Sequence, residues 1–224
     1  MEIFSDPAVQ RVILTGFGWI LKLTGAAGVL ALVLGVLLAA MRVSPVPILR
    51  GVGTAWVNIF RNTPLTLVVY FCYFGLYTTL SLQFSDDIQL NVFWLGVVGL
   101  ATYTAAFVCE AIRSGINTVP AGQAEAARAI GLTFGQTLRL IILPQAGRAV
   151  VAPLGSILIA LTKNATIVGT IGLAESANAM KELINENGNV VVPIFLVFAG
   201  VFVALLVPTG YLFNWLGNRL AVRR

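Results

Sequence analysis

A polar segment, EAARAIGLTFGQTLRLIILP at residues 125–144, interrupts an otherwise apolar chain. Residues that could perform catalysis are scarce. The sequence contains no histidine, and no paired carboxylates, metal-ligand cluster or nucleophile–base arrangement can be picked out. Cys72 and Cys109 both fall inside apolar runs, so neither suggests a disulfide or a metal site. The candidate chemistry is therefore docking and polar binding. Four membrane-embedded positions bear on binding. Lys163-Asn164 is costly inside an apolar run unless it faces a cavity or a partner helix. Thr102-Tyr103-Thr104 could line a cavity, although threonines also bond their own helix backbone. Arg61, beside Asn62, Thr63 and Pro64, reads as orienting the next helix. Lys22 reads as a snorkelling or interfacial side chain.

The 125–144 segment has its own local grammar. Pro120 suits the first turn of a helix. Residues 121–130 are good helix formers, and Gly131 suits the left-handed residue that ends a helix. Thr133 followed by Gln136 has capping-box spacing for a second helix running through Arg139 to about Leu143, which Pro144 interrupts. The first helix is short and marginal alone in water. It offers Ala126, Ala127 and Ile130 as a close-packing face, and Glu125 as a dipole-favoured acid that could pair with a partner arginine. A groove in a partner protein fits it better than lipid, because small residues bury little area.

The elements that must hold these residues are membrane spans. Hydrophobic residues make up 58% of the chain and charged residues only 10%, where a soluble domain carries roughly 25% charged. Five spans are expected: Val12–Met41, Pro64–Leu82, Leu90–Ile112, Ala146–Gly172 and Val190–Leu216. Ala31 and Gly35, and Ala101 and Ala105, are small residues four apart that permit close helix approach. Lys163-Asn164 would lie roughly 27 Å along a straight fourth span, in its outer half. Positive charge sets the orientation. Arg42, Arg50, Arg61, Arg113, Arg128, Arg139, Arg148, Arg219, Arg223 and Arg224 fall on one side, and only Arg11 and Lys181 on the other. That other side holds Glu2, Asp6, Asp86, Asp87, Glu175, Glu182 and Glu186. The N-terminus is then outside, the C-terminus cytoplasmic, and 125–144 cytoplasmic. The net charge of +5 reports topology and gives no reason to invoke nucleic acid. The N-terminus does not read as a cleavable signal, and the polar stretch 175–189 is an extracytoplasmic loop with room for a short helix.

The pattern Glu125-Ala126-Ala127, Gly131 and Ile141-Ile142-Leu143-Pro144 resembles the EAA loop of ABC transporter permeases. FRNTPL at 60–65, CEAIRSGINTVPAGQ at 109–123 and LTKNATIVGTIGL at 161–173 resemble the polar amino acid uptake branch of that family. The resemblance implies an all-α, polytopic permease with about five transmembrane helices, of the MetI-like type I importer fold. It would be one transmembrane domain over residues 1–224, with the coupling loop at about 119–144. The chain would be a subunit of an ATP-driven amino acid importer in a bacterial inner membrane. Its partners would be two ATPase subunits that use ATP and Mg, a second permease copy or paralogue, and an extracytoplasmic amino acid binding protein. The chain lacks a G-x-x-x-x-G-K-[ST] phosphate loop, so hydrolysis would fall to the separate ATPase, and no cofactor of its own is expected.

By this resemblance Glu125, Ala126, Ala127, Gly131 and Pro144 would carry coupling to the ATPase. Asn164, Lys163, Thr166, Tyr103 and Thr104 would lie along the substrate pathway. In the family the 163–164 position reads Lys followed by Asp or Asn. Lys163 then reads as structural, and Asn164 as the discriminating residue. Without an aspartate there, a cationic amino acid is disfavoured, and glutamate or another acidic or polar amino acid fits better. Two other classes stand as alternatives. An ion-coupled transporter or channel usually needs a buried acid or histidine in its spans, and Glu110 lies only at the cytoplasmic end of the third. A non-transport membrane assembly protein is the other.

Overall fold

The structure is a computed structural model that describes residues 2–220, all-helical apart from short turns. Arg223 and Arg224 lie outside the described residues. α1 (Pro7–Val43) starts with Pro7 in its first turn, and the Asp6 carboxylate accepts a hydrogen bond from Ala8 N at 2.8 Å. Its 37 residues rise about 54 Å, well beyond a hydrocarbon core of about 30 Å. α2 (Pro47–Asn62) stands where the sequence suggests a loop carrying Arg50 and Arg61. Its Trp56, Val57 and Phe60 repeat at helical spacing. They pack on Leu38 and Ala39 of α1 and on a run that includes Ala105, Ala106 and Cys109.

After the Thr63-Pro64 break, α3 (Leu65–Tyr70) continues as a π-helical segment, Phe71–Thr79. Among the described residues four helices are long and apolar enough to cross a membrane: Pro7–Val43, Ile88–Asn117, Val151–Ile171 and Val191–Leu220. The remaining expected span, Pro64–Leu82, takes the form of a shorter apolar helix, Leu65–Thr79. α4 (Ile88–Asn117) is the centre of the bundle. Its apolar stretch is 72% buried, against 11% for the last spanning helix. It is capped by Asp87, which accepts from Leu90 N at 2.9 Å. α1 and α4 form the most extensive helix pair. The small residues explain how. Ala31, Ala101 and Ala105 are buried there, and a Cβ on Gly35 would stand 2.4 Å from Val108 Cγ1. Only a residue without that atom allows the two backbones so close.

A hairpin follows α4. α5 (Ala121–Ala129) turns into α6 (Phe134–Thr137), which runs on through a π-helical segment, Leu138–Ile142, into α7 (Leu143–Ala149). The fourth span is not one straight helix. The chain breaks at Val150 before α8 (Val151–Asn164), then tightens into a 3-10 segment, Ala165–Ile171, that stops at Gly172 with φ +99°. α9 (Ser176–Glu186) realises the short helix anticipated in the polar loop, and α10 (Val191–Leu220) is the last span. α9 lies against the start of α1, where Val9 and Phe17 meet Ala179 and Leu183.

Candidate functional site

The hairpin after α4 is organised by local capping. Pro120 is the N-cap residue of α5 and so lies one position before the first turn. Gly131 has φ +93°. Its N–H donates to Arg128 O at 3.0 Å, and Leu132 N–H donates to Ala127 O at 3.1 Å. That pair of bonds is a Schellman C-cap, which needs a left-handed residue. Thr133 and Gln136 form the expected capping box. Gln136 N–H donates to Thr133 Oγ1, and Thr133 N–H donates to Gln136 Oε1 at 2.9 Å. Gln145 Nε2 then donates to Gln123 Oε1 at 2.6 Å and to Ile141 O at 2.9 Å, stitching α7 to α5. Pro144 sits in the first turn of α7, so the helix resumes there.

The exposed face of this hairpin differs from expectation. Ala127 is buried within the chain, whereas Glu125 and Ala126 are exposed. Glu125 is the middle residue of α5 and makes no ion pair among the described residues. Ile130 is 82% exposed, and Phe134, Leu140 and Leu143 join it as bare apolar side chains. Sequence reasoning had picked only Ile130 from these four.

A second feature lies near mid-bundle. Tyr103, Thr104 and Phe107 of α4 face Ser156, Ile157 and Asn164 of α8 across a groove of about 300 Å³. Positions 156, 160 and 164 share one helix face, so the α8 wall is a single stripe. The structure thus brings Asn164, Tyr103 and Thr104 together. It does not bring in the other two pathway candidates. Lys163 turns toward α10, into a separate groove with Tyr211 and Asn214. The Thr166 hydroxyl donates to Lys163 O at 2.8 Å and Thr166 is not on the groove wall. Thr102 bonds Val98 O and Gly99 O of its own helix. The groove lies beside Tyr103 and Thr104, about halfway along α4, and Asn164 is one of its lining residues. The break at Val150 means that the chain from Ala146 to Asn164 is not one straight helix. Lys22 lies over the Trp19 ring, 4.7 Å from its centroid.

Sequence reasoning missed a charge cluster one turn beyond the groove. Glu110 of α4 pairs with Arg42 of α1, with Arg113 at 3.2 Å, and with Arg61 of α2 at 3.9 Å. Three cations surround one anion, so the cluster carries a net charge of +2. The Arg61 guanidinium also lies over the Phe107 ring, 5.8 Å from its centroid. One signal was available: Glu110 and Arg113 are three apart on a helix. Arg42 and Arg61 come from distant segments and gave none. These arginines and the hairpin define an arginine-rich end of the bundle.

The opposite end holds a buried acid that had been read as loop. Glu175 is fully buried. Its carboxylate caps α9, accepting from Ala177 N at 2.8 Å and from Asn178 N at 3.0 Å. Burial pushes its carboxyl above the usual range, and the capping N–H groups oppose that only in part. Gln89 of α4 clamps the preceding turn, donating to Gly172 O at 3.0 Å and accepting from Ala174 N at 3.0 Å.

Comparison with known proteins gives this geometry a family. Residues 31–222 match the family described as binding-protein-dependent transport system inner membrane component. The chain is 49% identical over 217 residues to the glutamate transport system permease protein GluC of Corynebacterium glutamicum, covering 95% of each. It is 39% identical to the probable glutamine ABC transporter permease protein GlnM of Bacillus subtilis, covering 84% of this chain and 83% of that one. Among solved structures, an amino acid ABC transporter crystallised with histidines superposes with a TM-score of 0.87 at 26% identity, covering 98% and 99% of the two chains. The inward-facing MetNI methionine transporter superposes at 0.69 and 22% identity, which supports the fold alone. With a capped hairpin at one end, a polar groove at mid-bundle and a family match over most of its length, the chain belongs to the binding-protein-dependent transport system inner membrane components and is an ABC importer permease subunit.

Proposed function

We propose that this permease passes an acidic or polar amino acid, glutamate foremost, through the groove between α4 and α8. The observation that carries the substrate reading is the groove's wall. Tyr103, Thr104, Ser156 and Asn164 offer hydroxyl and amide groups, no carboxylate lines it, and arginines stand one turn beyond Phe107. Such a site accepts a negative side chain and gives a cationic one no partner. The 49% identity to a glutamate permease supports the same reading. The hairpin of α5 to α7 is the coupling element. Ile130, Phe134, Leu140 and Leu143 enter a groove on a separate ATPase pair that uses ATP and Mg, with Glu125 at the rim. A second permease, identical or paralogous, completes the pathway, and an extracytoplasmic binding protein delivers the amino acid.

The arginine-rich end faces the cytoplasm in this reading, with the N-terminus outside in a bacterial inner membrane. A reporter active only in the cytoplasm then works when fused after Arg224 and fails when placed at 187–190, between α9 and α10. The reverse pattern overturns the orientation.

The substrate site is tested at Asn164. Asn164→Asp places a negative charge on the groove wall. Two like unit charges about 5 Å apart repel by about 3 kcal/mol at an effective dielectric of about 20. Glutamate uptake into proteoliposomes holding the full complex should fall sharply, and glutamine uptake much less. Asn164→Ala should cost glutamate less than Asn164→Asp, because it removes a hydrogen bond without adding charge. Equal effects of Ala and Asp on glutamate, with assembly intact, return Asn164 to a packing role. ATP-independent uptake by the same vesicles would support an ion-coupled carrier instead.

A further inference from the structure

We infer that Arg61 is a specificity-determining residue, receiving the carboxylate of an acidic substrate at the arginine-rich end of the groove. The inference rests on the proposed pathway and adds a group to it that lies on a different helix, α2.

Glu110 has two carboxylate oxygens, and each already accepts from one arginine. Arg42, which is mostly buried, holds Oε1, and Arg113 donates to Oε2 at 3.2 Å. Arg61 comes no nearer to Oε2 than 3.9 Å, beyond hydrogen-bond distance. Its side chain is 48% exposed. Arg61 is thus the least committed cation of the four-residue cluster. The cluster's surplus positive charge is expressed there.

Position links this surplus charge to the groove. Phe107 lines the groove beside Tyr103 and Thr104, and the Arg61 guanidinium lies over the Phe107 ring. The Phe107 ring thus touches both the polar groove and the cation. Lying over the ring holds the planar guanidinium in place while leaving its N–H fork unspent. That fork matches a carboxylate in two parallel hydrogen bonds. The residues lining the groove carry no charge, and Arg61 lies against one of them, Phe107. An acidic amino acid carries one more negative charge than its amide and gains more from this field. Trp56, five residues earlier on α2, donates from Nε1 to Thr102 O of α4 at 3.4 Å. α2 therefore meets α4 at two heights, at Thr102 and at Phe107.

The test compares glutamate and glutamine uptake, in competition, by the full complex in proteoliposomes. Arg61→Gln should lower the glutamate-to-glutamine ratio about tenfold, through KM for glutamate more than through kcat. Arg61→Lys keeps the charge but loses the planar fork, and should restore only part of the ratio. Phe107→Leu keeps an apolar wall but removes the ring, and should lower the ratio in the same direction by a smaller factor. If Arg61→Gln fails to assemble, Arg61→Lys and Phe107→Leu decide the matter. An unchanged ratio, or equal loss for both substrates with ATPase activity and assembly intact, makes Arg61 a helix anchor and overturns the inference. Wild-type complex that takes up neither amino acid overturns the underlying substrate reading, and this inference with it, before any variant is made.

Discussion

The two ends of this bundle treat polar and apolar groups in opposite ways. At the arginine-rich end the hairpin satisfies its backbone locally, through the Gly131 C-cap and the Thr133–Gln136 box, yet leaves Ile130, Phe134, Leu140 and Leu143 bare. At the other end Glu175 is fully enclosed, Gln89 clamps the turn before it, and the apolar residues of α9 are packed on α1. A turn that needs nothing from the rest of the chain, carrying apolar side chains that nothing covers, is built to meet another protein. A turn whose polar groups are met from other helices of the same chain is built to stay put. The difference separates an uncovered end from a closed one, and it supports the proposal that the hairpin is the coupling element.

The comparison breaks most readily at Gly131. Its φ of +93° lies where a β-branched residue is strongly disfavoured, and open space surrounds the missing Cβ, so any effect is purely conformational. Gly131→Val should unmake the C-cap and misdirect Ile130 and Phe134. ATP-driven uptake and stimulated ATPase activity should fall by at least about tenfold, the effect of roughly 1.4 kcal/mol. Membrane insertion should be unaffected. Gly131→Asn, which tolerates the left-handed region, should retain much of the activity. Normal coupling in the Val variant would remove the hairpin from its role.

The sequence displayed the local devices plainly and the long-range ones poorly. Gly131, Thr133 and Gln136 announce their turn because a Schellman cap and a capping box are each defined within six residues. Ala31 with Gly35, and Ala101 with Ala105, pointed to close helix approach but not to which helices meet, because Gly and Ala recur throughout the chain; packing brings them together between α1 and α4. α2 was missed because it is short and only half apolar, so a search for membrane spans passes over it. The Glu110 cluster depends on Arg42, 68 positions earlier in the chain, and no pattern joins them. Lys163 and Asn164 were read together, but adjacent residues on a helix point about 100° apart. Only the packing of α4 and α10 decides which one meets the polar groove. Burial of Ala127 and Glu175 likewise depends on neighbours that local composition does not name.

The smallest effect expected is at Glu175, and it sharpens the closed half of the comparison. Its carboxylate caps α9 through Ala177 N and Asn178 N, and Ser176 Oγ donates to it at 3.2 Å. Glu175→Ala leaves those donors without an acceptor in a site closed to water, and should cost about 1–2 kcal/mol of stability. The pH dependence has a definite sign. Burial raises the folded pKa above the unfolded value, so the folded state holds the proton more tightly. The stabilising contribution is fully present below the ordinary glutamate pKa and is lost as pH rises through the raised one. Thermal unfolding of the detergent-solubilised complex should therefore show wild type losing stability across that window. Glu175→Gln cannot ionise and should lose less. It keeps one of the two acceptor oxygens, so its stability at low pH should lie slightly below wild type, and the two curves should converge as pH rises. Parallel curves for the two proteins would mean that Glu175 keeps access to water, and that the end opposite the hairpin is less firmly closed than its packing indicates.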